Sequence, residues 1–154
     1  MLSFPTDSPA LHAGLVLAAV AFIAVAGSLP ARPAPDAGGV ADTVDRVAVA
    51  EAPSITTHGH AADSVRLRPD GIALRNEGGT AHATFAFGPI VPVRDGPLRA
   101  VLAGTAPQTA FSDRDAFIAA VEAARNRDPR WVASEKITVT GVSWDGERFT
   151  LVGV

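Results

Sequence analysis

Cysteine is missing from all 154 residues. That absence excludes disulfides, thiol catalysis, thiolate metal sites and bacterial-type lipid attachment together. Lysine is nearly missing as well, with twelve arginines against the single Lys136. Aspartate outnumbers glutamate by eleven to five and alanine is abundant, the flavour of a GC-rich genome, and lysine depletion also suits a salt-loving one. The net charge is −3 and the pI about 5.7, so no general attraction to nucleic acid is expected. There is no Asn-x-Ser/Thr sequon, and no phosphate loop, dinucleotide fingerprint or zinc-protease motif.

What is present begins with ALHAGLVLAAVAFIAVAGSL, residues 10–29, a run without a formal charge. As a helix it would extend about 30 Å, the thickness of a bilayer's hydrocarbon core. Pro30 stops it, and Pro33 and Pro35 keep the next residues extended. Ala24-Val25-Ala26 before Gly27 fits a signal cleavage site, but residues 1–9, MLSFPTDSP, lack the positive charge of a signal's leading region. A retained anchor is therefore the favoured expectation, with cleavage after Ala26 the alternative. Arg32 and Arg46 follow the span and argue for a cytoplasmic bulk domain. The proline spacer and the Thr-rich strands instead resemble cell-surface architecture, so an extracytoplasmic domain is the expectation.

Beyond the spacer, Val40, Val44, Val47 and Ala48 recur at helical spacing within a segment that stops before Pro53. The segment reads as a short amphipathic helix packing on its own domain. Residues 54–62, SITTHGHAA, show no clear period and read as a loop. From residue 64 the period becomes two. VRLR (65–68) and IALRN (72–76) flank Pro69-Asp70-Gly71 as a hairpin. Asn76-Glu77-Gly78-Gly79 is the next turn, and in residues 80–87 Ala81, Ala83, Phe85 and Phe87 share a face. PIVPV (89–93) reads as an edge or an extended loop because of its prolines, and LRAVLAG (98–104) as a further strand.

One helix is expected to interrupt the strands, capped by Ser112 and burying Phe117, Ala120, Val121 and Ala124 before Pro129. KITVTGVSW (136–144), Asp145-Gly146 and ERFTLVGV (147–154) form a second hairpin. A two-residue turn there sets Val142 against Phe149 and Val139 against Val152 on opposite faces. Both faces are then apolar, and the hairpin belongs at the centre of its sheet.

The search for chemistry yields little. Gly141-Val142-Ser143-Trp144-Asp145 begins like a nucleophile elbow but lacks the second glycine and sits in a hairpin. His58 and His60 offer two metal ligands with nothing nearby to complete a shell. Asp113 and Asp115 are explained by a helix start, His82 by the polar side of its strand, and Trp131 and Trp144 by core or sheet packing. No catalytic, cofactor or metal residues are assigned, and an enzyme is not expected. One surface stands out. With Asp70-Gly71 as the turn, Arg66, Arg68 and Arg75 gather opposite the apolar Val65, Leu67, Ile72 and Leu74, and Arg66 faces Arg75 directly. Like charges so placed destabilise a sheet unless a carboxylate relieves them, which makes these arginines candidate partner-binding residues.

The uncharged span, LPARPAPDAGGVADTVDRVA, the strands VRLRPDGIALRNEGGTAHATFAFGPIVPVRDG, and the RDPRW element before the terminal hairpin together resemble a family of small uncharacterised haloarchaeal membrane proteins. The resemblance covers nearly the whole chain and implies proximity to archaeal type IV pilus (Tad-like) assembly genes. It supplies no catalytic residues. The chain also departs from an ordinary archaeal pilin precursor, since it has no basic leader with a prepilin-peptidase site and Pro30 follows the span at once.

The expected fold class is α+β: a tail (1–9), a transmembrane helix (10–29), a Pro/Gly-rich spacer (30–39), a short amphipathic helix (40–52), and a small, mostly antiparallel sheet with one packed helix (53–154). The expected function is a non-enzymatic, membrane-anchored accessory or pilin-like component of a surface filament or its assembly system. It has protein partners, no nucleic acid and no cofactor. The alternative is an anchored or secreted binding module for an anionic ligand or polymer.

Overall fold

The computed structural model describes residues 13–20, 32–51 and 53–154. The chain divides into two units, Met1–Ala31 and Arg32–Val154. In the first, residues 13–20 are helical and exposed, and the rest of the predicted 10–29 span lies outside the described residues. Among the described residues no helix is long and apolar enough to cross a membrane. The predicted transmembrane helix is thereby corrected.

The second unit is α+β, as expected, but it holds two four-stranded sheets in place of one. The first helix, α1 (Ala37–Ala48), starts and stops earlier than predicted. Asp36 caps it by accepting from the Gly39 N–H at 2.9 Å, satisfying one of the helix's free amide groups. Val40, Val44 and Val47 fall on one stripe and are buried. The helix does pack on its own domain, and it packs against both sheets at once.

The sheet of the first hairpin runs β4-β3-β2-β6, from β2 (Ser64–Arg68), β3 (Gly71–Asn76), β4 (Gly79–Thr84) and β6 (Val132–Ala133). The other runs β1-β7-β8-β5, from β1 (Ser54–Gly59), β5 (Val91–Val93), β7 (Lys136–Trp144) and β8 (Glu147–Gly153). Its centre is the terminal hairpin, with Val142 opposite Phe149 and Val139 opposite Val152 as expected. Asp145 (φ 49°) and Gly146 (φ 79°) form the turn, both left-handed as a two-residue hairpin turn requires. β5 lies parallel to β8 at the sheet edge, where Pro92 leaves no central ladder short of a donor.

The two apolar faces of this hairpin explain the layering. Ile137, Val139 and Val152 join Val40, Val44 and Val47 of α1 and Val65, Leu67, Ile72 and Leu74 of the other sheet in one core. On the far face Val142, Trp144, Phe149 and Leu151 form a second core with α2 (Pro97–Leu102) and α4 (Arg114–Arg125). Phe117 is its centre, with ring centroids 5.0 Å from Phe149, 5.4 Å from Trp144 and 5.3 Å from Phe111. Gly141 admits α1 closely, since a Cβ there would meet Val47 Cγ1 at 3.3 Å.

Several local expectations change. Residues 54–59 are strand, not loop; Ser54, Thr56 and His58 alternate with Ile55 and Thr57 in exposure, and polar residues on both faces hide that period. The predicted strand at 98–104 is α2: Pro97 opens it, and Leu98, Val101 and Leu102 are buried at helical spacing. Thr140 Oγ1 ties its end to the sheet by donating to the Leu102 carbonyl at 2.7 Å. A four-residue α3 (Pro107–Ala110) follows, so three helices stand where one was expected. Asp113, not Ser112, caps α4, accepting from the Ala116 N–H at 2.8 Å. β4 stops at Thr84 because the next amides turn away. The Phe85 N–H donates to the Asp70 carbonyl, and those of Ala86 and Phe87 donate to the Asp45 carboxylate. Phe87 is consequently 56% exposed rather than sharing the face of Ala81 and Ala83.

Phe117→Ala is expected to cost about 3–5 kcal/mol through the cavity it leaves. Gly146→Val is expected to cost at least about 1–2 kcal/mol through left-handed backbone strain. Urea unfolding checks both, and parent-like midpoints would contradict the core and turn assignments.

Candidate functional site

The β4-β3-β2-β6 sheet buries one face against α1 and turns the other outward. That outer face carries Arg66, Arg68 and Arg75, as the residue alternation predicts. The register differs. Pro69-Asp70 is the turn, setting Arg68 against Gly71, Leu67 against Ile72, Arg66 against Ala73 and Ser64 against Arg75. Proline's fixed φ suits the first central turn position. The slip amounts to two residues in the pairing, so every side chain keeps its face. Only the direct opposition of Arg66 and Arg75 disappears, and the two now lie on a diagonal.

Trp131 receives both of them. The Arg66 Cζ lies 4.9 Å and the Arg75 Cζ 4.5 Å from the ring centroid, where the negative face of the indole attracts a guanidinium. Trp131 is brought there by β6, whose Val132 pairs with Val65 and Ala133 with Ser64. A two-residue strand leaves no readable period, so sequence reasoning placed Trp131 in core or sheet packing and missed its part in this face. The three arginines are not equivalent. Arg68 forks onto Asp70, with Nε to Oδ1 at 2.9 Å and Nη2 to Oδ2 at 2.6 Å. Among the described residues no carboxylate pairs with Arg66 or Arg75, and Arg66 Nε is buried without a hydrogen-bond partner.

Next to this cluster a groove of about 430 Å³ crosses the sheet. Ala73 pairs with Arg66 on one side and His82 on the other, and Gly71 pairs with Arg68 and Thr84. Gly71 and Ala73 lie on its floor with Ile72 and Ala83 also lining it, and arginines along β2 and His82 and Thr84 along β4 form the walls. The arrangement offers forked donors, an imidazole and a hydroxyl above a neutral floor, which suits recognition of carboxylates or other oxyanions.

The remaining candidates go elsewhere. His58 Nδ1 meets Thr43 Oγ1 of α1 at 2.8 Å. His60 Nδ1 accepts from the Ala62 N–H at 3.3 Å, and its Nε2 is buried without a partner. Among the described residues no group of three His, Asp or Glu side chains is placed to hold a metal ion. Asp113 caps α4 and its carboxyl is held below the ordinary range, first by the Ala116 N–H and then by Ser112. Trp144 belongs to the core.

Residues 3–142 match the model of a family of unknown function, DUF7283. The chain belongs to DUF7283. No curated protein and no solved structure matches the chain. Family membership covers the whole cationic face, from β2 through β6, and leaves the meaning of that face to its geometry.

Burial, followed by the neighbouring His58, pushes the His60 pKa below its usual value. The unfolded chain therefore takes up a proton at His60 before the folded one. The stability this contributes is complete above about pH 6.5 and is lost as pH falls through the folded pKa. His60→Asn, which keeps an acceptor for the Ala62 N–H, should show a smaller loss of stability on acidification below that pH. Parallel pH–stability curves for parent and variant would contradict the burial of His60.

Proposed function

We propose that this DUF7283 chain is a non-enzymatic accessory or pilin-like component of a haloarchaeal surface filament or of its assembly system, docking through the outer face of the β4-β3-β2-β6 sheet. The observation that supports docking is the Arg66–Trp131–Arg75 cluster, two guanidiniums gathered on one indole with no carboxylate of the described residues paired to them. A solvated arginine is common, but two converging on one ring are held in place before any ligand arrives, which lowers the ordering cost of binding. The haloarchaeal and pilus setting is supported by the sequence resemblance, and the extracytoplasmic placement of the Arg32–Val154 domain by its proline-led, strand-rich design.

A second reading, a binding module for an anionic ligand or polymer, is favoured by the groove beside the cluster. Partner identity separates the two.

Tagged full-length chain recovered from haloarchaeal cells at about 1 M salt, where screening acts beyond about 3 Å and only direct contacts persist, is expected to bring filament or assembly proteins with it. Arg66→Ala with Arg75→Ala should leave folding unchanged and reduce that recovery. Equal recovery by the double variant would show that the face is merely solvated. Recovery of an acidic polymer without filament proteins would favour the second reading.

A further inference from the structure

The β4-β3-β2-β6 sheet ends at β4, and that edge is open. Asn76 closes on Gly79 across a two-residue loop, so these two residues exchange hydrogen bonds. Bonding then alternates along the ladder. Ala81 and Ala83 bond to Leu74 and Ile72, and the Phe85 N–H continues the series by donating to the Asp70 carbonyl at 3.0 Å. The N–H and C=O groups of Thr80, His82 and Thr84 therefore point away from β3, and among the described residues no strand lies beyond them. Natural edges are commonly guarded by proline, by charge or by brevity. Gly79–Thr84 has six residues with no proline, lysine, arginine or carboxylate. Of the other edges, β5 carries Pro92 and β6 has two residues. β1 bonds to β7 through Ser54, Thr56 and His58, a ladder that the His60 N–H extends to the Glu135 carbonyl, and so presents Ile55, Thr57 and Gly59 outward.

Residues 80–84 read Thr-Ala-His-Ala-Thr, the same in both directions. An antiparallel pair of these segments, related by a two-fold axis at His82, sets Thr80 against Thr84, Ala81 against Ala83 and His82 against its own copy. Every outward-pointing residue of each strand then has a hydrogen-bonding partner. We infer that β4 pairs with β4 of a second copy of this chain in that register, joining two four-stranded sheets into one of eight strands. Threonine opposite threonine is a favourable cross-strand pair. The β1 edge has no such symmetry, since a two-fold axis at Thr57 would set Ile55 against Gly59. A two-fold contact closes on itself, so the assembly stops at two chains. Its axis stands perpendicular to the sheet, and the arginines of both copies keep to one face. The inference goes beyond the docking reading and does not depend on it.

The absence of cysteine makes the register directly measurable in the full chain. With His82→Cys the two thiols stand on a hydrogen-bonded pair, whose Cα atoms are about 5.5 Å apart, within the range a disulfide spans. With Thr80→Cys the two like residues lie about 14 Å apart along the strands, beyond that range. Mild oxidation is expected to yield a disulfide dimer from His82→Cys, and from Thr80→Cys mixed with Thr84→Cys, but not from Thr80→Cys alone. His82→Pro removes an N–H that β3 does not use. It should keep the parent's urea midpoint while the mass in sedimentation falls from two chains to one. Cross-linking no faster for His82→Cys than for Thr80→Cys would overturn the inference, as would a two-chain mass in folded His82→Pro. The cross-linking series decides by itself if His82→Pro does not fold. Arg66→Ala with Arg75→Ala should leave cross-linking through His82→Cys unchanged, so the docking reading and the dimer fail by separate results.

Discussion

Everything in the Arg32–Val154 unit depends on α1 being buried on two sides. Val40, Val44 and Val47 meet the inner face of one sheet and Ile137, Val139 and Val152 of the other in a single core. A fully buried valine contributes roughly 1.5–3 kcal/mol, and here each contribution is shared between two sheets that have no strand in common. Asp36 sets where the helix begins, and Gly141 sets how close it comes to β7. A helix seated in this way commits both sheets to one facing.

That commitment produces the cationic face. With Val65, Leu67, Ile72 and Leu74 held against α1, alternation forces Arg66, Arg68 and Arg75 outward. A sheet covered on both sides would have to neutralise them. This one leaves them at the surface, where Asp70 satisfies Arg68 and Trp131 gathers the other two. β3, at the centre of this face, is paired on both sides, so the ladder fixes where the arginines leave the backbone, and Trp131 gathers the heads of Arg66 and Arg75.

How much of this was legible follows from range. The terminal hairpin was readable to the residue because Asp145-Gly146 admits one turn geometry and thereby one register. The first hairpin was readable in its faces and not its register, since Pro69-Asp70 and Asp70-Gly71 both make acceptable turns and differ by a shift that preserves alternation. α1 was readable as a helix from its valines, but its place between two sheets depends on pairings such as Ser54 with Gly141, which no local pattern announces. The strand of residues 54–59 was hidden because Ser54, Thr56 and His58 occupy its inward side while Ile55 is exposed. α2 was hidden because its six residues, PLRAVL, are too few to separate the two periods. The predicted membrane span rested on an absence of charge, and among the described residues no helix is long and apolar enough to cross a membrane. Of the candidate site, the arginines were visible from alternation, while Trp131 arrives through a strand too short to show any.

Native-state hydrogen exchange on Val44→Ala measures the central claim most directly. Removing two methyl groups from the middle of α1 should lower the protection of the slowest amides in β3 and in β7 by the same free energy, because one buried helix supports both sheets. Loss of protection confined to one sheet, with the other unchanged, would contradict the account.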